Sequence, residues 1–183
     1  MPSGFVLAGG RSSRMGRDKA LLPFEGRTLV EHVAAMVRKA ADSVALVGNP
    51  GRYASLGFPI IGDNFPGCGP LAGIEAALRA SNADWNLIVA CDMPGLSTAF
   101  LRYLLDIAAG DCLLPRGPSG LREPLCAVYH RRCRPAIGRA LADGIRKVTD
   151  GLAGLDVRHI TVESPRCFAN VNTPQEWTPY SNA

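Results

Sequence analysis

The sequence predicts a protein of the α/β class, with a mainly parallel sheet covered by helices. Short runs rich in Val, Ile and Leu alternate with stretches in which apolar residues recur at helical spacing. Clusters of glycine and proline directly follow several of the apolar runs, where strands are expected to end. No repeat and no long linker divides the chain, so we expect residues 1–183 to form a single domain.

Seven short apolar runs are predicted to be strands, because each is too short for a typical helix and is rich in strand-forming residues. They cover residues 4–7, 43–47, 59–61, 86–90, 111–114, 125–130 and 157–162.

Three amphipathic helices are predicted between the strands, over residues 29–40, 71–78 and 100–108. Ser97 is placed to cap the third of them. Near the end of the chain, Thr173 and Glu176 have the spacing of a capping box, with Pro174 at the first helical position. A C-terminal helix is therefore expected to begin there.

Composition excludes several classes of protein. A hydrophobic fraction of 47% with 20% charged residues is unlike a disordered chain. No apolar run approaches the roughly 18 residues of a membrane span, and the first residues lack a signal peptide, so we expect a cytoplasmic protein without a membrane partner. The six cysteines have irregular spacings and are expected to be reduced and mostly buried.

The net charge of +4 gives little support for a nucleic-acid partner. Most arginines are scattered singly, with no basic stripe interleaved with aromatic residues, so we expect no nucleic acid to bind. Only three of the 20 basic residues are lysines, namely Lys19, Lys39 and Lys147. The position of Lys19 is the informative one.

The segment after the first strand is predicted to bind a polyphosphate. Gly9 and Gly10 allow the backbone to turn sharply and to present its amides, while Arg11, Arg14 and Lys19 add positive charge to the same loop. No Gly-Lys-Ser/Thr sequence closes this loop, so it is not a Walker A motif. A glycine pair alone is common in ordinary turns, and the prediction depends on the full string.

Asp92 is the candidate ligand for Mg²⁺. It stands where the apolar strand at residues 86–90 ends, and Mg²⁺ binds carboxylates together with substrate phosphates. The alternative is that Asp92 only caps the next turn. Asp63 repeats this position on another strand, where it either binds nucleotide or stabilises its loop.

Four motifs resemble those of the molybdenum cofactor guanylyltransferases in both wording and order. They are LAGGRSSRMGRDKALL at residues 7–22, GPLAGI at 69–74, CDMP at 91–94 and NVNTP at 170–174. The resemblance implies a three-layer α/β/α nucleotidyltransferase fold with a Rossmann-like sheet. It also implies an enzyme that uses GTP and Mg²⁺ to convert Mo-molybdopterin into its guanine dinucleotide, with release of pyrophosphate.

The resemblance also implies the residues of the site. Those that would contact GTP are Leu7, Ala8, Gly9, Gly10, Lys19, Asn49, Asp63 and Asp92. Lys19, Arg14 and Asp92 would act in catalysis, and Asp92 would hold the metal. Asn170 and Asn172 would contact the acceptor. Implied protein partners are other molybdenum cofactor biosynthesis proteins or molybdoenzyme chaperones.

Other functions remain open from the sequence alone. A related branch that transfers CMP usually has Leu-Ala-Ala-Gly where this chain has Leu-Ala-Gly-Gly, and a single glycine is slender support for guanine. Sugar-phosphate and cobinamide-phosphate nucleotidyltransferases are further alternatives. A non-catalytic nucleotide-binding adaptor would have no need for Lys19, Asp63 and Asp92 together.

Overall fold

The computed structural model describes residues 1–9, 18–163 and 168. Its strands are β1 Ser3–Leu7, β2 Pro23–Phe24, β3 Arg27–Thr28, β4 Ser43–Val47, β5 Ile60–Ile61, β6 Trp85–Ala90, β7 Cys112–Arg116, β8 Cys126–His130 and β9 Val157–Thr161. Its α-helices are α1 Leu29–Ala40, α2 Pro50–Tyr53, α3 Pro70–Ala80, α4 Thr98–Asp106, α5 Arg134–Ala142 and α6 Val148–Gly151.

Seven of the strands form one sheet with the order β5-β4-β1-β6-β8-β7-β9. β8 is antiparallel to both of its neighbours, β6 and β7, and the other neighbouring pairs are parallel. The predicted α/β class and the mainly parallel sheet are therefore confirmed. β2 and β3 form a separate two-stranded ribbon.

The strands begin and end at two opposite edges of the sheet, and different residues lie at each. Leu7 of β1 lies opposite Val47 and Ala90 in the register, so β1, β4 and β6 end level with one another. We call the edge where these strands end the carboxyl edge; it also includes residues 116–125, which connect β7 to β8. The opposite edge is where β6 and β7 begin and β8 ends.

Helices cover both faces of the sheet. α1 and α4 pack together on one face, and α3, α5 and α6 pack together on the other. α1 begins with a capping box in which Thr28 and Glu31 satisfy each other's backbone amides, and it buries Val33 and Val37 against the sheet. The two buried clusters hold the strands, and thus the carboxyl edge, in a fixed position.

All seven predicted strands are present, with small shifts at their ends. The three predicted helices are α1, α3 and α4, and Ser97 caps α4 through a hydrogen bond from Phe100 N, as expected. The β2–β3 ribbon, α2, α5 and α6 were not predicted. Most of them are too short to show a period, and α5 has only two large apolar residues, Ile137 and Leu141.

Three further predictions concern the C-terminal helix, the cysteines and the absence of a membrane span. The C-terminal helix expected at Thr173 lies outside the described residues. Of the cysteines in the described part, four are buried and Cys68 is partly buried, and none of these five forms a disulfide. No helix within the described ranges combines the length and hydropathy that crossing a membrane requires.

Candidate active site

Lys19 and Asp92 meet at the carboxyl edge although they lie 73 residues apart in the sequence. Asp92 is the second residue after β6, and the preceding Cys91 N donates a hydrogen bond of 3.1 Å to Leu7 O. The Lys19 Nζ atom donates to Asp92 Oδ2 at 2.5 Å, and 22% and 12% of the two side chains remain exposed. Sequence reasoning selected both residues, and the structure brings them into direct contact.

Asp18 fixes the start of the turn that carries Lys19. Its Oδ1 atom accepts a hydrogen bond of 3.1 Å from Ala20 N and so caps the 3₁₀ turn at Lys19–Leu21. Its Oδ2 atom accepts a bond of 2.9 Å from the Tyr53 hydroxyl and lies 3.5 Å from Arg52. Because both carboxylate oxygens are engaged, the backbone that leads into Lys19 has a defined position.

Tyr53 reaches Asp18 from within the core, and only 2% of it is exposed. Gly48 makes room for it, since a Cβ atom there would lie 2.9 Å from the Tyr53 ring and 2.8 Å from Ala8 O. Burial, followed by the hydrogen bond to Asp18, raises the pKa of Tyr53 well above its usual value. The hydroxyl therefore stays protonated and acts as a donor to Asp18.

A second carboxylate, Glu123, lies near Asp92. The antiparallel register of β6 and β8 pairs Val89 with Cys126, and Ala90 N continues it with a 2.7 Å bond to Leu125 O. A turn at residues 124–125, with a 3.2 Å bond from Cys126 N to Glu123 O, then interrupts the ladder and leaves Glu123 at the same edge as Asp92. Burial, followed by the negative charge of Asp92, raises the pKa of Glu123.

Sequence analysis did not select Glu123, although it stands in the stretch directly before β8. In a fully parallel sheet the start of a strand lies at the edge away from the site. Only the antiparallel direction of β8 brings its start to the carboxyl edge. The available signal was the short hairpin connection from β7, which requires an antiparallel pair.

The donor set at this edge fits a divalent cation. Asp92 and Glu123 are like charges in a partly buried place, and a positive ion between them would relieve their repulsion. The described residues contain no group of three or more His, Cys, Asp or Glu that could hold a metal by itself. Such a site suits Mg²⁺, which keeps waters and takes substrate phosphates as its remaining ligands.

The other predicted nucleotide residues also follow strands at this edge. The side chains of Leu7 and Ala8 are buried, so they could contact a ligand only through their backbone, whereas Gly9 is exposed with open space around it. Asn49 Oδ1 accepts a 2.8 Å bond from Gly51 N and caps α2. Asp63 Oδ1 accepts a 2.7 Å bond from Phe65 N.

These contacts give Asn49 and Asp63 a local structural role, and their contact with nucleotide stays a prediction. Gly73, in the GPLAGI motif, has a packing role. A Cβ atom there would lie 3.2 Å from the Leu7 side chain, in the core between α3 and β1. The predicted residues Gly10, Arg14, Asn170 and Asn172 lie outside the described residues.

Comparison with known proteins agrees with this geometry. The model of the MobA-like NTP transferase domain matches residues 4–158. A probable molybdenum cofactor guanylyltransferase from Carboxydothermus hydrogenoformans is 36% identical, with 94% of this chain and 91% of that protein covered. A protein of the same description from Clostridium perfringens is 35% identical, with 96% and 93% covered.

Among solved structures, the chain is similar to a molybdopterin-guanine dinucleotide biosynthesis protein A from Archaeoglobus fulgidus. The TM-score is 0.83 at 28% sequence identity, and 98% of this chain and 97% of that chain are covered. The match therefore includes the whole sheet and the strand ends that carry Lys19 and Asp92. By its fold, its site and these relatives, the chain belongs to the MobA-like NTP transferase family.

Proposed function

We propose that this protein transfers GMP from GTP to Mo-molybdopterin, forming the molybdopterin guanine dinucleotide and pyrophosphate. The observation that carries the proposal is the contact between Lys19 and Asp92 at the end of β6, a cation and a metal-ligand candidate side by side. The names of the relatives, probable molybdenum cofactor guanylyltransferases, supply the base and the acceptor.

The reaction depends more on the correct placement of two anions than on a general base. An oxygen of the acceptor's terminal phosphate attacks the α-phosphorus of GTP, and the bond from that phosphorus to the bridging oxygen of pyrophosphate breaks. Because the attacking phosphate is already ionised, no strong general base is needed. The protein must hold the reactants in line and neutralise the charge on the phosphoryl oxygens.

Lys19 is the described cation best placed for this task. With Asp18 engaged by Tyr53 and by Ala20 N, the turn that carries Lys19 is held before substrate arrives. Lys19 exchanges its contact with Asp92 for a phosphate oxygen when the triphosphate binds. Arg14 and the backbone of residues 7–10 complete the phosphate contacts in this proposal, and Asn49 and Asp63 contact the nucleoside.

Asp92 would hold Mg²⁺, with Glu123 facing the same ion. When bound, the ion would supply charge neutralisation at the phosphates of GTP. Asp92 would hold this charge beside Lys19, and Glu123 would contribute a second carboxylate from the segment before β8. Asn170 and Asn172 are proposed to contact the acceptor.

Three further predictions belong to this proposal. The protein is expected to lie in the cytoplasm and to form one domain over residues 1–183. It is also expected to contact other cofactor-biosynthesis proteins or molybdoenzyme chaperones.

The proposal is tested by measuring pyrophosphate release with each of the four nucleoside triphosphates, with and without molybdopterin. We expect release only with GTP, molybdopterin and Mg²⁺ together, and loss of release on chelation. Release with CTP in preference to GTP would point to the cytidylyl branch. Tight binding of Mg-GTP without release with any acceptor, sugar phosphates included, would favour the non-catalytic adaptor.

A further inference from the structure

Two arginines face each other across the hairpin that joins β7 to β8. Arg116 ends β7 and forms an antiparallel bridge with Arg122, outside the regular β7–β8 ladder. Residues directly opposite in an antiparallel pair project to the same face, with Cβ atoms about 5 Å apart. Like charges in this arrangement destabilise the pair, so the protein alone gives no reason for it.

Neither guanidinium is neutralised within the described part of the chain. No carboxylate there forms an ion pair with Arg116 or Arg122, and the buried Arg116 Nε has no hydrogen-bond acceptor. A buried donor without an acceptor is costly. An oxyanion between the two guanidinium groups would satisfy the donors and remove the repulsion.

His159 lies within electrostatic range of both arginines, in keeping with the bridge between them. Leu114 pairs with His159 in the parallel register of β7 and β9, and Arg116, two residues after Leu114, projects to the same face. Burial, followed by the charge of Arg116 and, more weakly, that of Arg122, lowers the pKa of His159. Both guanidinium groups therefore lie close enough to the same ring to affect it.

The position of the pair separates it from the nucleotide residues. In the sheet order, β6 lies between β1 on one side and β8 and β7 on the other. Lys19, Asn49 and Asp63 belong to the β1 side, whereas Arg116 lies two strands beyond β6, about 10 Å from the strand that carries Asp92. An anion bound there would approach Asp92 from the side away from the nucleotide.

We propose that Arg116 and Arg122 form an anion subsite for the acceptor, where they bind an oxyanion group of a phosphate monoester while GTP occupies the β1 side. The subsite rests on the proposed function, because it assigns the second substrate of the same reaction. The same chemistry could come from the triphosphate or from pyrophosphate. The two-strand separation favours the acceptor, and the experiment distinguishes these sources.

The test compares Arg116→Gln and Arg122→Gln with Arg131→Gln, a matched variant of an exposed arginine at the opposite edge. Phenyl phosphate is titrated by calorimetry into protein saturated with Mg²⁺ and the α,β-methylene analogue of GTP. Pyrophosphate and the analogue are titrated separately. Turnover with molybdopterin is then measured at saturating GTP, and melting temperatures report folding.

We expect each subsite variant to weaken phenyl phosphate binding and to raise the KM for molybdopterin by about tenfold or more, with kcat, analogue affinity and melting temperature close to wild type. Arg116→Lys should recover part of the loss. Arg131→Gln should match wild type throughout.

Three results would overturn the subsite. One is phenyl phosphate binding unchanged in both variants. Another is weakened binding of pyrophosphate or of the analogue in place of the monoester, which would assign the arginines to the nucleotide. The third is a melting temperature that falls in the glutamine variants and in Arg116→Lys alike, with monoester binding by the folded fraction unchanged. If the monoester binds as expected but molybdopterin gives no product with wild-type protein, the subsite stands and the proposed function fails.

Discussion

The two edges of the sheet use the same residue types in opposite ways. At the opposite edge arginines are paired with carboxylates, as Arg132 is with Asp111 at 2.5 Å and Arg131 is with Asp84 at 3.8 Å. At the carboxyl edge the Lys19–Asp92 pair is accompanied by like charges that lie near one another, since Glu123 lies near Asp92 and Arg116 is bridged to Arg122.

The difference separates charges that serve the fold from charges that serve a ligand. A groove of about 380 Å³ at the opposite edge is lined by arginines, which on composition alone resembles an anion site. Arg131, Arg132 and Arg134 of this groove each already pair with a carboxylate. Like charges that lie near one another are expected where a substrate or metal ion of opposite charge binds between them, and such charges occur at the carboxyl edge.

The largest expected effect comes from Asp92→Asn. It keeps the shape of the side chain but removes the charge that would hold the metal, so turnover should fall on the order of a hundredfold or more. The melting temperature should stay close to wild type, since a partly exposed ion pair stabilises little. Asp106→Asn, an exposed aspartate at the end of α4, is the control. Near-normal product formation by Asp92→Asn would exclude the metal role.

Lys19→Ala is expected to weaken binding of the triphosphate by about ten- to a hundredfold, because one charge-assisted contact to phosphate is lost. Calorimetry with a non-hydrolysable GTP analogue and Mg²⁺ measures this effect. Lys147→Ala, which removes an exposed lysine paired with Asp150, should bind like wild type. Unchanged affinity in Lys19→Ala would refute its contact with phosphate.

Tyr53→Phe tests whether the core positions Lys19. Loss of the hydroxyl donor to Asp18 should lower stability by about 1 kcal/mol and GTP affinity by about fivefold, because the turn before Lys19 becomes less defined. Tyr103→Phe, at a half-exposed tyrosine on α4, is the control. A lower melting temperature with unchanged GTP affinity would limit Tyr53 to a structural role.

Asp111→Asn is the matching change at the opposite edge. The Asp156 amide, followed by Arg132, lowers the pKa of Asp111, so its charge stabilises the fold above the ordinary aspartate value of 3.8 and this contribution is lost as pH falls through the lowered pKa. At neutral pH the variant should be less stable by about 1 kcal/mol, with unchanged turnover. The deficit should shrink in acid, and a deficit that persists there would contradict the charge-based explanation.

Glu123→Gln should change stability least, and it should raise stability where Asp111→Asn lowers it. Because the pKa of Glu123 is raised in the folded protein, its ionised form opposes folding at neutral pH, and this cost disappears as pH falls towards the ordinary value of 4.5. In metal-free buffer the variant should melt slightly higher than wild type at pH 7, with no advantage in acid. It should also bind Mn²⁺ more weakly in the presence of GTP. A lower melting temperature at pH 7 would show that Glu123 supports the fold.

Much of the fold and half of the site follow from the sequence. The seven strands could be predicted because each is a short apolar run that ends in a turn signal, and Lys19 and Asp92 stand in the segments that follow two of these runs. The direction of β8 could not be predicted, since an apolar run has the same composition in either direction. For that reason the placement of Glu123 near Asp92 and the Arg116–Arg122 bridge emerged only from the structure.

The same limit applies to Tyr53, whose role depends on a contact across 35 residues with Asp18. Sequence spacing gives no sign of that contact, because neither residue stands in a motif with the other. Gly48 is similar, since its need for a missing Cβ becomes evident only when the Tyr53 ring packs beside it.

Transfer of GMP, as opposed to hydrolysis of GTP, is tested most directly by following the α-phosphorus. GTP labelled at this position is incubated with the protein, molybdopterin and Mg²⁺, and the products are separated. We expect the label to enter a dinucleotide of molybdopterin, with one pyrophosphate released for each label transferred. Label that remains in GTP, or that is released as free GMP, would contradict the proposed function.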